Sequence, residues 1–227
     1  MSRFILRTGF TLFLALNAAA CIGGGVLLSP KPVGEGKWSI TGEESVEGAY
    51  GSEIGFASYY GIRLAGTYGL DSDLDLNFRL GGGGLGVGLK KTFFAQSGWY
   101  PALAVGGDFQ GIYWSILDRD TGYVEPSVRV IAGWGDPHEI VLSFGTGHAI
   151  VFGGGEEGMN YGYIPTLETY LGFNLFAYRW LTLGFSSGVR VPLADGSGVP
   201  GASGGNISSY GTQLIFHMGF GILVGPF

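Results

Sequence analysis

Cysteine, histidine and charge are all scarce in this chain. One cysteine, Cys21, stands among 227 residues, which excludes an internal disulfide. The three histidines, His138, His148 and His217, are scattered, so no metal-ligand spacing is readable. Charged residues make up only 13% of the chain, well below the roughly 25% of an ordinary soluble domain. Basic residues are fewer than acidic ones, 12 against 18, which argues against nucleic acid as a partner and against a basic patch for a membrane surface. Long hydrophobic runs are also missing. After the first 20 residues no stretch reaches the ~18 apolar residues that a transmembrane helix needs. Low complexity does not explain the chain either. Its 45 glycines would favour disorder, but 46% of its residues are apolar and 15% aromatic, too many for a segment that stays unfolded.

What is present begins with an export signal over residues 1–20. Arg3 and Arg7 supply a positive start, Phe10 to Leu16 an apolar stretch, and Ala18-Ala19-Ala20 the small residues a peptidase reads. The string Ala18-Ala19-Ala20-Cys21 resembles a bacterial lipobox, with alanine where leucine is usual. That resemblance implies a mature chain beginning at a lipidated Cys21, and more than one acyl chain would give a stable anchor. Residues 21–34 read as a linker, and residues 35–227 as one domain. Without Arg3 and Arg7 the mature chain carries a net charge of about −8.

The domain is patterned with a period of two, the alternation of a strand whose successive side chains point to opposite faces. Tyr60, Ile62, Leu64 and Tyr68 alternate with Gly61, Arg63, Ala65 and Thr67. Leu74, Leu76, Phe78 and Leu80 alternate with Asp75, Asn77 and Arg79. The same reading runs through Leu85–Lys90, Leu103–Gln110, Val124–Trp134, Thr166–Leu175, Leu181–Val191 and Gln213–Val224. One face of each segment is apolar. The other is glycine, hydroxyl or charge, as expected for a crowded lumen and not for the Lys- and Glu-rich exterior of a soluble sandwich. A soluble lipocalin-like barrel is the weaker alternative.

Adding a strand near Lys37–Gly42 and one near Glu139–Phe144 makes about ten strands. The links at Asp71-Ser72, Gln96–Gly98, Gly135–Pro137 and Ala177–Arg179 are short. Those at Glu43–Phe56, Leu117–Thr121, Gly147–Tyr161 and Pro192–Ser209 are longer, and Gly81–Gly84 is a short exception. Short turns at one end and long loops at the other are the habit of outer-membrane barrels. Tyr68, Trp99, Tyr100 and Trp134 fall near strand ends, where interfacial aromatics belong. The chain resembles the small bacterial outer-membrane β-barrel proteins of eight to ten strands, over roughly residues 35–227 and including the terminal Phe227. The expected fold is all-β, an antiparallel up-and-down transmembrane β-barrel of about ten strands. The resemblance implies a monomer in the outer membrane with both termini periplasmic. Its partners would be membrane lipid and, during biogenesis, the barrel-assembly machinery. No cofactor is implied.

Motifs that would carry chemistry lack their context. Gly81–Gly86 has dinucleotide-loop spacing but runs into a strand instead of a helix. Gly184–Gly188 and Gly201–Gly205 imitate a nucleophile elbow without the strand-to-helix turn. Asp71, Asp73 and Asp75 imitate the start of a calcium loop, without the glycine and glutamate it requires. The inward charges are more informative. Arg63, Asp75, Arg79, Lys90, Asp108, Glu125, Arg129, Glu168 and Arg190, together with His217, are assigned to the lumen as one polar network. Five of these are Lys or Arg and four are Asp or Glu. A small barrel has room for little but side chains, and unpaired charges there would be costly. The expected function is a structural or surface-interaction role with a plugged polar lumen. A narrow channel for ions or small solutes is the alternative. A rim-located lipid acyl hydrolase is the second, built on His148 near Ser143, Thr146, Glu156 and Glu157. Catalysis is the less favoured reading, and no catalytic residue is assigned.

Overall fold

A computed structural model describes residues 29–51, 55–81, 84–116, 119–136, 138–155, 158–178, 181–193 and 213–224. Ten strands follow one another along the chain: β1 (Trp38–Gly51), β2 (Gly55–Gly69), β3 (Leu74–Gly81), β4 (Gly84–Phe94), β5 (Ala102–Ile116), β6 (Arg119–Trp134), β7 (Glu139–Gly155), β8 (Gly158–Tyr178), β9 (Leu181–Pro192) and β10 (Gln213–Val224). Each pairs antiparallel with its sequence neighbours. β1 pairs with β10 from Trp38↔Val224 to Ala49↔Gln213, which closes the sheet into a barrel. Closure leaves no open sheet edge, and backbone polar groups meet across strands, a requirement in hydrocarbon.

The two faces of this wall are inverted relative to a soluble protein. On β2, Leu64 is 52% exposed on the outside, while Arg63 and Ala65 on either side of it are buried inside. On β7, Ile140, Leu142 and Phe144 are exposed, while Val141 and Ser143 are buried. Leu85, Leu89, Phe109, Val128, Leu171 and Phe185 extend the same outer apolar surface around the barrel. An apolar area this continuous is unstable in water and at home against lipid tails. The first and last residues of the barrel lie at one end, with the short turns. There the rings of Trp38 and Tyr68 pack 4.6 Å apart, and Trp99 and Tyr100 stand exposed.

Strand lengths depart from the sequence expectation. Much of what reads as long outer loop is paired strand. β1 continues to Gly51, opposite Gly55, and β7 and β8 stay in register out to Gly155↔Gly158. Hydrophobic alternation reports where one face meets lipid. Hydrogen-bond pairing persists above that belt, where neither face needs to be apolar. The β3–β4 hairpin does the opposite. It stops at Gly81↔Gly84, while β2 and β5 on either side run on toward Gly55 and Ile116. A shallow apolar groove of about 810 Å³, lined chiefly by outward Leu64, Phe78, Leu80, Leu85, Val87 and Phe109, follows this low stretch of wall. It belongs to the lipid-facing surface.

Candidate functional site

The lumen holds the charged residues, in three clusters that follow one another along the strands. Nearest the end where β1 begins and β10 finishes, Asp75 of β3 faces Lys90 of β4 in direct register, with Lys90 Nζ 2.9 Å from Asp75 Oδ2. Asp75 is completely buried. Four residues further along β3, Arg79 reaches Asp108 of β5 at 3.0 Å. Arg129 of β6 approaches the other oxygen of the same carboxylate at 3.4 Å, and its guanidinium also donates to Ser127 Oγ at 3.4 Å. Beyond them lies Arg190 of β9, 2% exposed. It bonds Glu168 of β8 at 2.6 Å and also pairs with Glu125 of β6. Gln110 Nε2 donates to the second Glu125 oxygen at 3.0 Å.

Charge balances across the three clusters taken together. Asp75 and Lys90 are neutral together. Asp108 with two arginines leaves one positive charge over. Arg190 with two glutamates leaves one negative charge. Arg129 lies opposite Gly145, and Gly145 opposite Glu168, so the two excesses face each other across one side-chain-free position. Placing any of these ions in a low-dielectric interior without its partners would cost several kcal/mol.

Glycine on the inward face makes the clusters possible. A Cβ on Gly88 would collide with the Asp108 carboxylate. One on Gly147 would collide with Glu125 and lie 2.9 Å from Thr166 Oγ and 3.1 Å from Arg190 Nη2. The long side chains lie across the backbone of neighbouring strands, over positions without side chains of their own.

The structure brings eight of the ten assigned lumen residues into these three clusters. Arg63 is buried on the same inner face, opposite Gly81. His217 lies on β10 opposite Ser45 and Ser186, and its side chain is outside the described residues, as is Cys21. The assigned network leaves out several inner residues: Gln110, Ser127, Thr166, and the buried pair in which Asn174 Nδ2 donates to Glu139 at 3.1 Å. Each has the parity of an inward position, and that parity was the available signal.

Of the residues named for hydrolysis, Ser143 and His148 do not meet, although Thr146 shares the outer face with His148 and gives its hydroxyl proton to the Thr166 carbonyl at 2.9 Å. Ser143 is buried on the inner face of β7. His148, five residues on, is on the outer face, where its Nδ1 is 2.6 Å from the Tyr163 hydroxyl and the two rings stack. A nucleophile and a base on opposite sides of one strand cannot act on the same substrate. Glu156 and Glu157 lie outside the described residues. The three aspartates at the β2–β3 turn also diverge. Asp71 accepts from the Ser72 amide, Asp73 pairs with Lys91, and Asp75 points into the lumen.

No protein-family model matches the chain, and no curated protein matches it. Solved structures with a similar course of chain include Neisserial surface protein A, at 12% identity, covering 83% of this chain and 99% of that one with a TM-score of 0.44. The attachment invasion locus protein Ail of Yersinia pestis is also 12% identical, covering 84% and 99% with a TM-score of 0.39. The outer membrane protease OmpT of Escherichia coli is 9% identical, covering 83% and 95% with a TM-score of 0.46. Identities this low transfer no residue role. The strand order itself carries the conclusion that the chain folds as an antiparallel up-and-down β-barrel of the outer-membrane type.

Proposed function

We propose that the protein is an outer-membrane barrel with a structural or surface-interaction role, its lumen closed by its own side chains. The observation that carries this reading is the buried trio Arg190, Glu125 and Glu168, with Gln110 on its flank. An open aqueous pore solvates its lining charges. Here Glu125 and Glu168 are turned toward the Arg190 guanidinium, and Tyr123, Ile131 and Ile164 are fully buried side chains on the same strands as the clusters. Charges paired across three strands lock each other's rotamers, so a continuous water path would have to break several buried hydrogen bonds at once.

The remaining parts of the reading follow from the same frame. Both ends of the barrel sequence sit at the short-turn end, which we assign to the periplasm. A lipid on Cys21 would then lie in the inner leaflet, and Phe227 would be presented to the barrel-assembly machinery from the periplasmic side. The chain acts as a monomer.

Purified protein in a planar bilayer is expected to show no steady single-channel current. Steady wild-type currents would replace the closed barrel with the channel reading. Labelling by a palmitate analogue, present in the wild type and lost in Cys21→Ser, is the expected result for the lipid anchor. Absence of label in the wild type removes it.

A further inference from the structure

The segment before β1, expected as a plain linker, is not lying free at the mouth of the barrel. Pro30 is fully buried. Lys90 Nζ donates to the carbonyls of Ser29 and Lys31, each at 2.8 Å, in addition to its 2.9 Å pairing with Asp75. An ammonium has three protons, and all three are used. Thr92 Oγ donates to the carbonyl between them, that of Pro30, at 2.7 Å. The amide of Val33 donates to Asp75 at 3.2 Å. Lys31 reaches across the opening to the Gly135 carbonyl at 2.8 Å. The segment then turns into β1 through Gly34 and Gly36, at φ 96° and 71°, a backbone region that favours glycine. It is pinned to β2 by the Gly36 amide on the Gly69 carbonyl at 2.9 Å.

We infer that the barrel mouth at the end where β1 begins and β10 finishes is a built binding site for a proline-containing peptide, and that its resident ligand is the chain's own segment Ser29–Val33. Three consecutive carbonyls are read by two side chains on one strand, β4. Proline suits this site chemically. It has no amide proton, so burying it leaves no orphan donor, and its carbonyl is the one main-chain group that must be met. The ring has a slot as well. A methyl on Gly133 of β6 would lie 2.7 Å from Pro30 Cγ and 2.8 Å from Cδ. Glycine at that position leaves space for the ring. Without the segment, two Lys90 protons and the Thr92 hydroxyl would lose these buried acceptors, and the mouth would open onto the first charge cluster. The docked segment is thus a stopper in cis. Cys21 is eight residues before Ser29, so docking holds it within about 26–29 Å of the mouth at full extension. The inference does not depend on whether the lumen conducts.

Hydrogen–deuterium exchange on the full chain folded in detergent micelles, read on the fragment spanning residues 29–37, tests it. The fragment is expected to exchange at least about tenfold more slowly than the same segment in the unfolded chain. Gly133→Ala, which fills the slot, should accelerate its exchange by about tenfold while strand amides keep their protection. Thr92→Val removes only the hydroxyl on the Pro30 carbonyl and tests the site if Gly133→Ala fails to fold. Acceleration confined to this fragment in either folded variant supports the docked stopper. A wild-type fragment exchanging as fast as unfolded chain overturns it. So does a protected fragment that neither folded variant changes.

Discussion

The outer and inner faces of the same strands obey different rules. On β8, Leu171 stands outside among other apolar side chains, and its neighbour Tyr170 is buried inside beside the Arg190 cluster. The outer face needs only to be apolar, because lipid tails conform to any shape. The inner face needs particular partners, because its charged side chains are buried and a buried charge without a partner is costly. The two faces therefore fail in different ways, and five variants separate them.

The largest effect belongs to the inner face. Arg190→Ala would leave Glu125 and Glu168 buried together without their shared cation, and is expected to cost about 3–5 kcal/mol in urea unfolding of the folded barrel. A neutral result would mean that water enters the cluster and that the inner face is as forgiving as the outer. Next, Phe185→Arg places a charge on the lipid face and should cost about 2–4 kcal/mol if that site is near the membrane midplane. Leu171→Met, by contrast, should stay below about 1.5 kcal/mol. If the methionine variant were the more damaging, shape and not polarity would govern the outside.

Third in size is Gly147→Ala. One methyl group aimed at Glu125, Thr166 and Arg190 is expected to cost about 1–3 kcal/mol by overpacking. Stability equal to wild type would show that the charged side chains can shift, contrary to a locked interior. The smallest effect sharpens the comparison most. Lys91 and Asp73 pair at 2.6 Å, closer than Lys90 and Asp75, but their side chains are 44% and 41% exposed. Lys91→Ala should change stability by no more than about 1 kcal/mol. Proximity without burial then counts for little, and the same denaturation experiment measures both.

Which residues face the lumen was readable because facing is a local property. In a strand, the parity of a position relative to its neighbours settles its side, and Asp75, Arg79, Lys90, Asp108 and Glu125 each stood opposite an apolar neighbour. Their pairing was not readable. Arg79 and Asp108 meet because Arg79 lies opposite Gly86 and Asp108 opposite Gly88. Arg129 joins them because it lies opposite Gly106. That is a product of three registers, each invisible in the order of residues. Loop lengths were misjudged for a related reason. Pairing in the upper parts of β1, β7 and β8 is sustained by backbone hydrogen bonds, which leave no hydrophobic trace.

The sequence by itself determined the inversion of this protein, apolar outside and charged inside, and with it a closed sheet. A chain with this alternation, no spanning helix and so few surface charges has no other way to satisfy its backbone in hydrocarbon. Only the tertiary structure decided which charges pair and what closes the mouth. Ser29 lies 61 residues from Lys90, and Lys31 lies 104 from Gly135. Contacts at that separation come from barrel closure, which brings this segment against strands that lie far along the sequence.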